Sequence, residues 1–222
     1  MELNKYIDHT ILKADSTKKD IDNIIKDAIK YNFKTICINP TWINYASKKL
    51  SKYPEIGITT VIGFPLGANT TETKVFEAKD AIDKGADEID MVMNIGKFKD
   101  KDFDYTLNEI NSIKEAIGKD HLLKVIVETA LLNEKEIIKI TQIVDKSNAD
   151  FIKTSTGFST RGASFKDIEI MKLNIKGATL IKAAGGISNS EDLKKMIDLG
   201  ADRIGTSRGV SLIKGLETKE GY

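Results

Sequence analysis

Three residues carry types that can do chemistry on a carbonyl group: Lys153, Lys182 and Asp90. Lys153 stands in ADFIKTSTG (149–157) and Lys182 in LIKAAGG (180–186). Each lysine follows two apolar residues, precedes small ones and has a glycine four positions on. Lysine is among the residues least often fully buried, and an ammonium in an apolar interior is costly unless paired or used. Two lysines threaded through core strands therefore imply use, against the alternative of side chains that snorkel outward between helices. A lysine with the usual pKa of about 10.4 is almost wholly protonated at neutral pH and cannot attack a carbonyl. A cationic neighbour and partial desolvation release the free amine. Asp90, between Ile89 and Met91, is the carboxylate best placed to carry protons through a carbinolamine to an imine. Asp87 and Glu88 stand nearer the start of the same strand and read as surface or capping groups.

These side chains need a frame, and the periodicity supplies one. Short β-rich runs recur as FKTICIN, GITTVIGF, DEIDMVMN, LLKVIVE, DFIKTS, ATLIKAA and DRIGTS, with a short strand at 7–10 making eight. They are largely apolar rather than alternating, as expected of parallel strands covered on both faces. Between them lie amphipathic helical patterns. One is Ile21, Ile24, Ile25, Ala28 and Ile29 behind Thr17 and Asp20; another is Ile137, Ile140 and Val144 behind Asn133 and Glu136. Gly85-Ala86-Asp87, Asn148-Ala149-Asp150 and Gly200-Ala201-Asp202 each close a helix and open a strand, the first residue suited to a left-handed cap, as is Asn32. Eight βα units predict a single (β/α)₈ TIM barrel over 1–222 with a short flexible C-terminal tail, ahead of an open doubly wound sheet. Active sites of such barrels lie at the C-terminal ends of the strands. That filter selects Asp8, Cys37, Asn39, Asp90, Asn94, Lys124, Glu128, Lys153 and Lys182. The turns Ser155-Thr156-Gly157, Gly185-Gly186 and Gly205-Thr206-Ser207 follow the last three strands, where barrels commonly hold phosphate on backbone N–H groups.

Composition narrows the field. The 222 residues carry a formal net charge of +1, so no global field points to nucleic acid or membrane binding. Only Arg161, Arg203 and Arg208 are arginine, so an anion site is expected to lean on lysine or on backbone amides. The single cysteine excludes an internal disulfide and fits a reducing, cytoplasmic compartment. The first residues, MELNKYIDHT, do not read as a signal peptide, and no apolar run is long enough to cross a bilayer.

Taken together, IDHT, ICINP, GFPLG, ADEIDMVMNIG, LLKVIVET, ADFIKTSTGF, IKAAGGI and RIGTS resemble the deoxyribose-phosphate aldolase family of class I aldolases, from Ile7 to about Ser207. The resemblance implies reversible cleavage of 2-deoxy-D-ribose 5-phosphate to acetaldehyde and D-glyceraldehyde 3-phosphate, in deoxyribose phosphate catabolism. It implies that Lys153 forms the Schiff base, that Lys182 lowers its pKa, and that Asp90 gives and takes protons. Asp8 and Lys124 are implied as supporting polar groups, and Thr156, Gly157, Gly185, Gly186, Gly205 and Ser207 as the phosphate site. Neither a metal nor an organic cofactor is implied. The expected partners are a small phosphorylated sugar and acetaldehyde; a homodimer is common in the family. Tyr222 matches a C-terminal tyrosine that serves as a proton shuttle in some members. Two departures stand out: Arg161, read as a surface charge, and Phe158, where some members carry lysine. The alternatives are another Schiff-base aldolase or a sugar-phosphate isomerase on the same barrel, or a phosphometabolite-binding protein without catalysis. Cys37 and His9 read as packing residues, and His9 and His121 lack the spacing of metal ligands.

Overall fold

The computed structural model describes residues 2–216. Its strands are β1 (Ile7–Ile11), β2 (Thr35–Ile38), β3 (Gly57–Ile62), β4 (Glu88–Val92), β5 (Leu122–Ile126), β6 (Phe151–Lys153), β7 (Leu180–Ala184) and β8 (Arg203–Thr206). They form one closed parallel barrel in sequence order. Closure is made by Asp8 opposite Gly205 and His9 opposite Thr206, which excludes the open sheet. Around it run α1 (Lys18–Tyr31), α2 (Ile43–Leu50), α3 (Thr71–Asp83), α4 (Ile95–Lys99), α5 (Phe103–Ile117), α6 (Glu134–Lys146), α7 (Phe165–Asn174), α8 (Ser190–Asp198) and α9 (Gly209–Ile213).

Local chemistry explains the elements. Thr17 opens α1 by donating its backbone N–H to Asp20, at 2.8 Å. Asn133 and Glu136 exchange reciprocal bonds of 2.9 and 3.1 Å at the start of α6. Of the expected left-handed caps, Asn32, Gly85 and Gly200 have φ of 53°, 102° and 112°. Asn148 does not adopt that conformation: α6 ends at Lys146, and the Ser147 N–H closes it onto the Ile143 and Val144 carbonyls.

The aspartates of the repeated tripeptide do more than punctuate. Asp87, Asp150 and Asp202 accept the backbone N–H of Ile58, Leu123 and Ile181 at 2.7, 2.7 and 2.9 Å. In each case the aspartate's own N–H donates to the carbonyl of the same residue. A two-bond ring thus fastens the foot of β4 to β3, of β6 to β5 and of β8 to β7. Asp87 is therefore the exposed capping group its sequence position suggested.

Alternation sends Ile36, Ile89, Val125, Ile152, Ile181 and Ile204 outward under the helices, where all are fully or nearly fully buried. The opposite parity fills the barrel with Asp8, Thr35, Thr59, Glu88, Asp90, Lys124, Lys153, Lys182 and Arg203, all buried. Most barrels of this class fill that space with branched aliphatic side chains; here it is charged. Outside the barrel, Lys74 of α3 and Glu109 of α5 form a fully buried pair at 2.7 Å. Lys74 also donates to the Val92 carbonyl, and Glu109 accepts the Asn94 N–H, both at 2.9 Å. This pair fixes the C-terminal end of β4, two residues beyond Asp90.

Candidate active site

Strand register brings the sequence-selected residues together. Lys153 and Lys182 are direct partners across β6 and β7, and Asp90 and Lys124 are direct partners across β4 and β5. Both Lys153 Nζ and Lys182 Nζ donate to Asp90 Oδ2 at 2.7 Å, while Lys124 Nζ donates to Oδ1 at 2.9 Å. One carboxylate therefore receives three ammonium groups. Lys182 also lies 2.6 Å from Asp8 Oδ2, off the hydrogen-bond direction, so that contact is coulombic. Lys124 is fully buried and points into the barrel, as its bond to Asp90 shows.

Two members of the cluster were not foreseen as such. Glu88, read as a surface or capping group, is buried: it meets Lys124 at 2.5 Å and Arg203 at 2.8 Å. Its parity with Asp90 on β4 was the available signal. Arg203 donates from Nε to Asp8 Oδ1 at 2.9 Å and shares with Lys124 the ring face of Phe151. Thr35 donates to Asp8 at 2.8 Å and Thr59 to Glu88 at 3.1 Å, so Asp8, Glu88 and Asp90 each accept at least one hydrogen bond.

This packing pulls the two lysines apart electrostatically. Burial, aided by the Lys182 ammonium, holds Lys153 below the ordinary lysine range against the pull of Asp90. Burial also penalises Lys182, but Asp8 and Asp90 outweigh it and hold Lys182 above that range. Asp90 is opposed by burial too, yet Lys124, Lys153 and Lys182 keep it well below the usual carboxylate range. The arrangement holds one lysine charged and its neighbour poised to lose its proton. Lys153 is 3% exposed while Lys124, Lys182 and Asp90 are at 0%, so of these four residues only Lys153 keeps any exposed surface.

A cavity of about 410 Å³ opens at the C-terminal ends of β6, β7 and β8. Gly157, Gly185, Gly186, Gly205 and Ser207 all line it. Gly157, Gly185 and Gly186 have φ of 87°, 69° and 71°, which side-chain-bearing residues rarely adopt. Among the described residues the N–H groups of Gly157 and Gly186 have no protein acceptor, and both are free for an anion. The Gly185 N–H is already spent on the Gly205 carbonyl at 3.2 Å. Gly205 itself makes room: a Cβ there would lie 3.1 Å from Lys182 Cε. Thr156 is outside the lining; its hydroxyl donates to Glu128 and accepts the Phe158 N–H, so it holds the turn. Glu128 achieves this from a left-handed backbone, φ 53°, at the top of β5, which no sequence signal announced.

Arg161 and Arg208 are the charged residues of this lining, and no acidic residue joins them. Among the described residues no lysine lines the cavity; the glycine amides do, as the scarcity of arginine suggested, and two of the three arginines stand beside them. Nor is Arg161 a bare surface charge, since its guanidinium grips Asp167 from both terminal nitrogens, at 2.5 and 3.2 Å, and the Thr129 carbonyl. Phe158 stacks edge-on against Phe64 at 5.3 Å and is half exposed. Cys37 is fully buried, its thiol pushed up by burial, and packs with Leu12 and Val61. His9 packs on Phe33 at 4.9 Å, with Asp27 3.5 Å from its Nε2. A larger cavity, about 720 Å³, lies on the opposite face, but its Asp145, Asp150 and Asp202 are committed to backbone amides. Tyr222 lies outside the described residues. Among those residues no helix is long and apolar enough to cross a membrane.

Comparison with known proteins gives this chain its relatives. The DeoC/LacD family aldolase profile matches residues 3–216. A deoxyribose-phosphate aldolase of Mycoplasmopsis pulmonis is 62% identical over 222 residues, all of both chains. Among solved structures, a putative deoxyribose-phosphate aldolase from Coccidioides immitis superposes with a TM-score of 0.92 at 38% identity, covering 96% of this chain and 85% of that one. The deoxyribose phosphate aldolase of Aeropyrum pernix, described as tetrameric, gives 0.87 at 30% identity, covering 96% and 89%.

Proposed function

The chain belongs to the DeoC/LacD aldolase family, and from that premise we propose that it cleaves 2-deoxy-D-ribose 5-phosphate reversibly through an imine on Lys153. The observation that carries this reading is the single oxygen, Asp90 Oδ2, held 2.7 Å from both Lys153 and Lys182. Neutral Lys153 attacks the aldehyde carbon of the open-chain sugar, and the carbinolamine loses water to give the protonated imine. Asp90, acting through water, takes the proton of the hydroxyl at C3. The C2–C3 bond then breaks, its electron pair flows into the imine as an enamine, and D-glyceraldehyde 3-phosphate leaves. Protonation at C2 and hydrolysis return Lys153 and release acetaldehyde. Lys182 stays charged throughout, which keeps its neighbour's amine free and presents a donor to the departing water.

The phosphate is read onto the arginine-lined cavity, with the Gly157 and Gly186 amides and the Ser207 hydroxyl as donors and Arg208 as counter-charge. Membership of an aldolase family retires the isomerase alternative. The assembly proposed is the homodimer, which sedimentation distinguishes from a monomer or from a tetramer like that of the A. pernix relative. The single buried Cys37 supports a cytoplasmic location.

The test is acetaldehyde with borohydride, followed by peptide mass mapping. A single reduced ethyl adduct on Lys153 is expected. Ethylation scattered over surface lysines with Lys153 untouched would overturn the imine reading.

A further inference from the structure

Followed contact by contact, the buried charges close on themselves. Asp90 meets Lys182 at 2.7 Å, and Lys182 meets Asp8 at 2.6 Å. Asp8 binds Arg203, and Arg203 meets Glu88 at 2.8 Å. Glu88 meets Lys124 at 2.5 Å, and Lys124 returns to the other oxygen of Asp90 at 2.9 Å. The cycle alternates three carboxylates with three cations and is neutral as a whole. Lys153 stands outside it, and among the described residues its one ion pair is with Asp90. Its ammonium is the surplus charge of the barrel, and its loss of a proton leaves the interior balanced.

We infer that Arg203 and Glu88, on the side of this cycle away from Lys153, are positioning residues that set the protonation of Lys153 in opposite senses without touching substrate. The inference rests on Lys153 as the imine-forming residue. The coupling has a simple route. Without Arg203, Asp8 and Glu88 draw Lys182 and Lys124 toward themselves, and Asp90 is left to hold the Lys153 ammonium more firmly. Without the Glu88 charge, Lys124 turns wholly to Asp90, whose grip on Lys153 weakens. The groups that share the barrel interior with Lys153 are, strand by strand, Asp8 on β1, Cys37 on β2, Glu88 and Asp90 on β4, Lys124 on β5, Lys182 on β7 and Arg203 on β8, with β3 offering Thr59 and Val61. Cys37 stays a neutral thiol. Above them, Glu128 is committed to Thr156, and Arg161 and Arg208 line the cavity.

The experiment is the pH dependence of acetaldehyde–borohydride labelling at Lys153, read by peptide mass, in the wild type, Arg203→Met, Glu88→Gln, the double variant and Arg203→Lys. The midpoint is expected to rise by about one pH unit in Arg203→Met and to fall by about as much in Glu88→Gln. That is the size expected of a unit charge three or four ion-pair links away, at about 10–12 Å, for an effective dielectric constant of about 20. The double variant returns close to wild type, and Arg203→Lys stays there. A merely structural role cannot produce shifts of opposite sign. Single-variant midpoints that move together, or do not move while Lys153 is still labelled, overturn the inference. If Arg203→Met fails to fold, Glu88→Gln decides alone, since a midpoint that is unchanged or raised overturns it. An unlabelled Lys153 in the wild type would instead sink the imine reading itself, and this inference with it.

Discussion

Replacing Lys182 by methionine should move the acid limb of the pH–rate profile for sugar cleavage toward alkaline pH by about two units. Lys153 Nζ and Lys182 Nζ each lie 2.7 Å from Asp90 Oδ2, which places the two nitrogens within about 5 Å of one another. At an effective dielectric constant of about 20, two unit charges at that separation repel by about 3 kcal/mol, or about two pH units. Removing the Lys182 cation therefore favours the Lys153 ammonium, raises its pKa and lowers the free-amine fraction near pH 7 by about 100-fold. Initial rates of cleavage across pH 5–10, with Lys182→Arg as the charge-preserving control, measure the limb. A thermal melt must accompany them, because breaking a buried pair costs about 3–5 kcal/mol of stability. A lower plateau with an unmoved limb would refute the reasoning: Lys182 would then serve only as a proton donor and not as the group that keeps its neighbour neutral.

Other consequences are open to direct measurement. Burial opposes ionisation of Asp8, Glu88 and Asp90, but Arg203, Lys124 and Lys182 hold all three below the usual carboxylate range. The folded chain thus binds fewer protons than the unfolded one, so this stability is present above about pH 4 and is lost as pH falls further; urea midpoints that do not fall between pH 6 and pH 3 would contradict it. Lys74→Met strands Glu109 in the interior and should cost about 3–5 kcal/mol by urea denaturation, much of it recovered in Lys74→Met/Glu109→Leu. Arg208→Ala should raise KM for the phosphorylated sugar roughly 10- to 100-fold, the worth of one charge-assisted hydrogen bond, and leave 2-deoxyribose cleavage unchanged; equal losses on both would remove Arg208 from the phosphate site. Deleting Tyr222 should lower turnover while acetaldehyde still labels Lys153, and an unaltered turnover number would retire the tyrosine as a proton shuttle.

Much of the frame is legible locally. The 3.6-residue stripe of Ile21, Ile24, Ile25 and Ala28, the paired caps at Thr17 and Asn133, and the apolar strand runs each depend on neighbours a few residues away, so periodicity alone returns a βα succession. The glycines after β6 and β7 are readable for the same reason, because a left-handed turn is a property of one residue. Lys153, Lys182 and Asp90 were marked by their residue type against their surroundings. Phe158, by contrast, gave no sign of its partner Phe64, which is brought to it by loops of β3 and β6.

What a strand's sequence leaves open is which of its two faces points inward and which residue of the next strand it meets. Glu88 and Asp90 share a parity, so one could not be a surface group while the other worked inside the barrel, yet only closure through the β1–β8 pairing decides which parity is interior. The three ammonium groups on Asp90 come from 34, 63 and 92 residues away, and Arg203 reaches Asp8 across 195. By itself the sequence determined that this chain winds as repeated βα units and carries lysines where apolar residues are the norm. Only the tertiary structure decided that Lys182 sits inside a neutral cycle of charges and Lys153 outside it, because charge balance is a property of distances in space, and those are set by barrel closure and strand register.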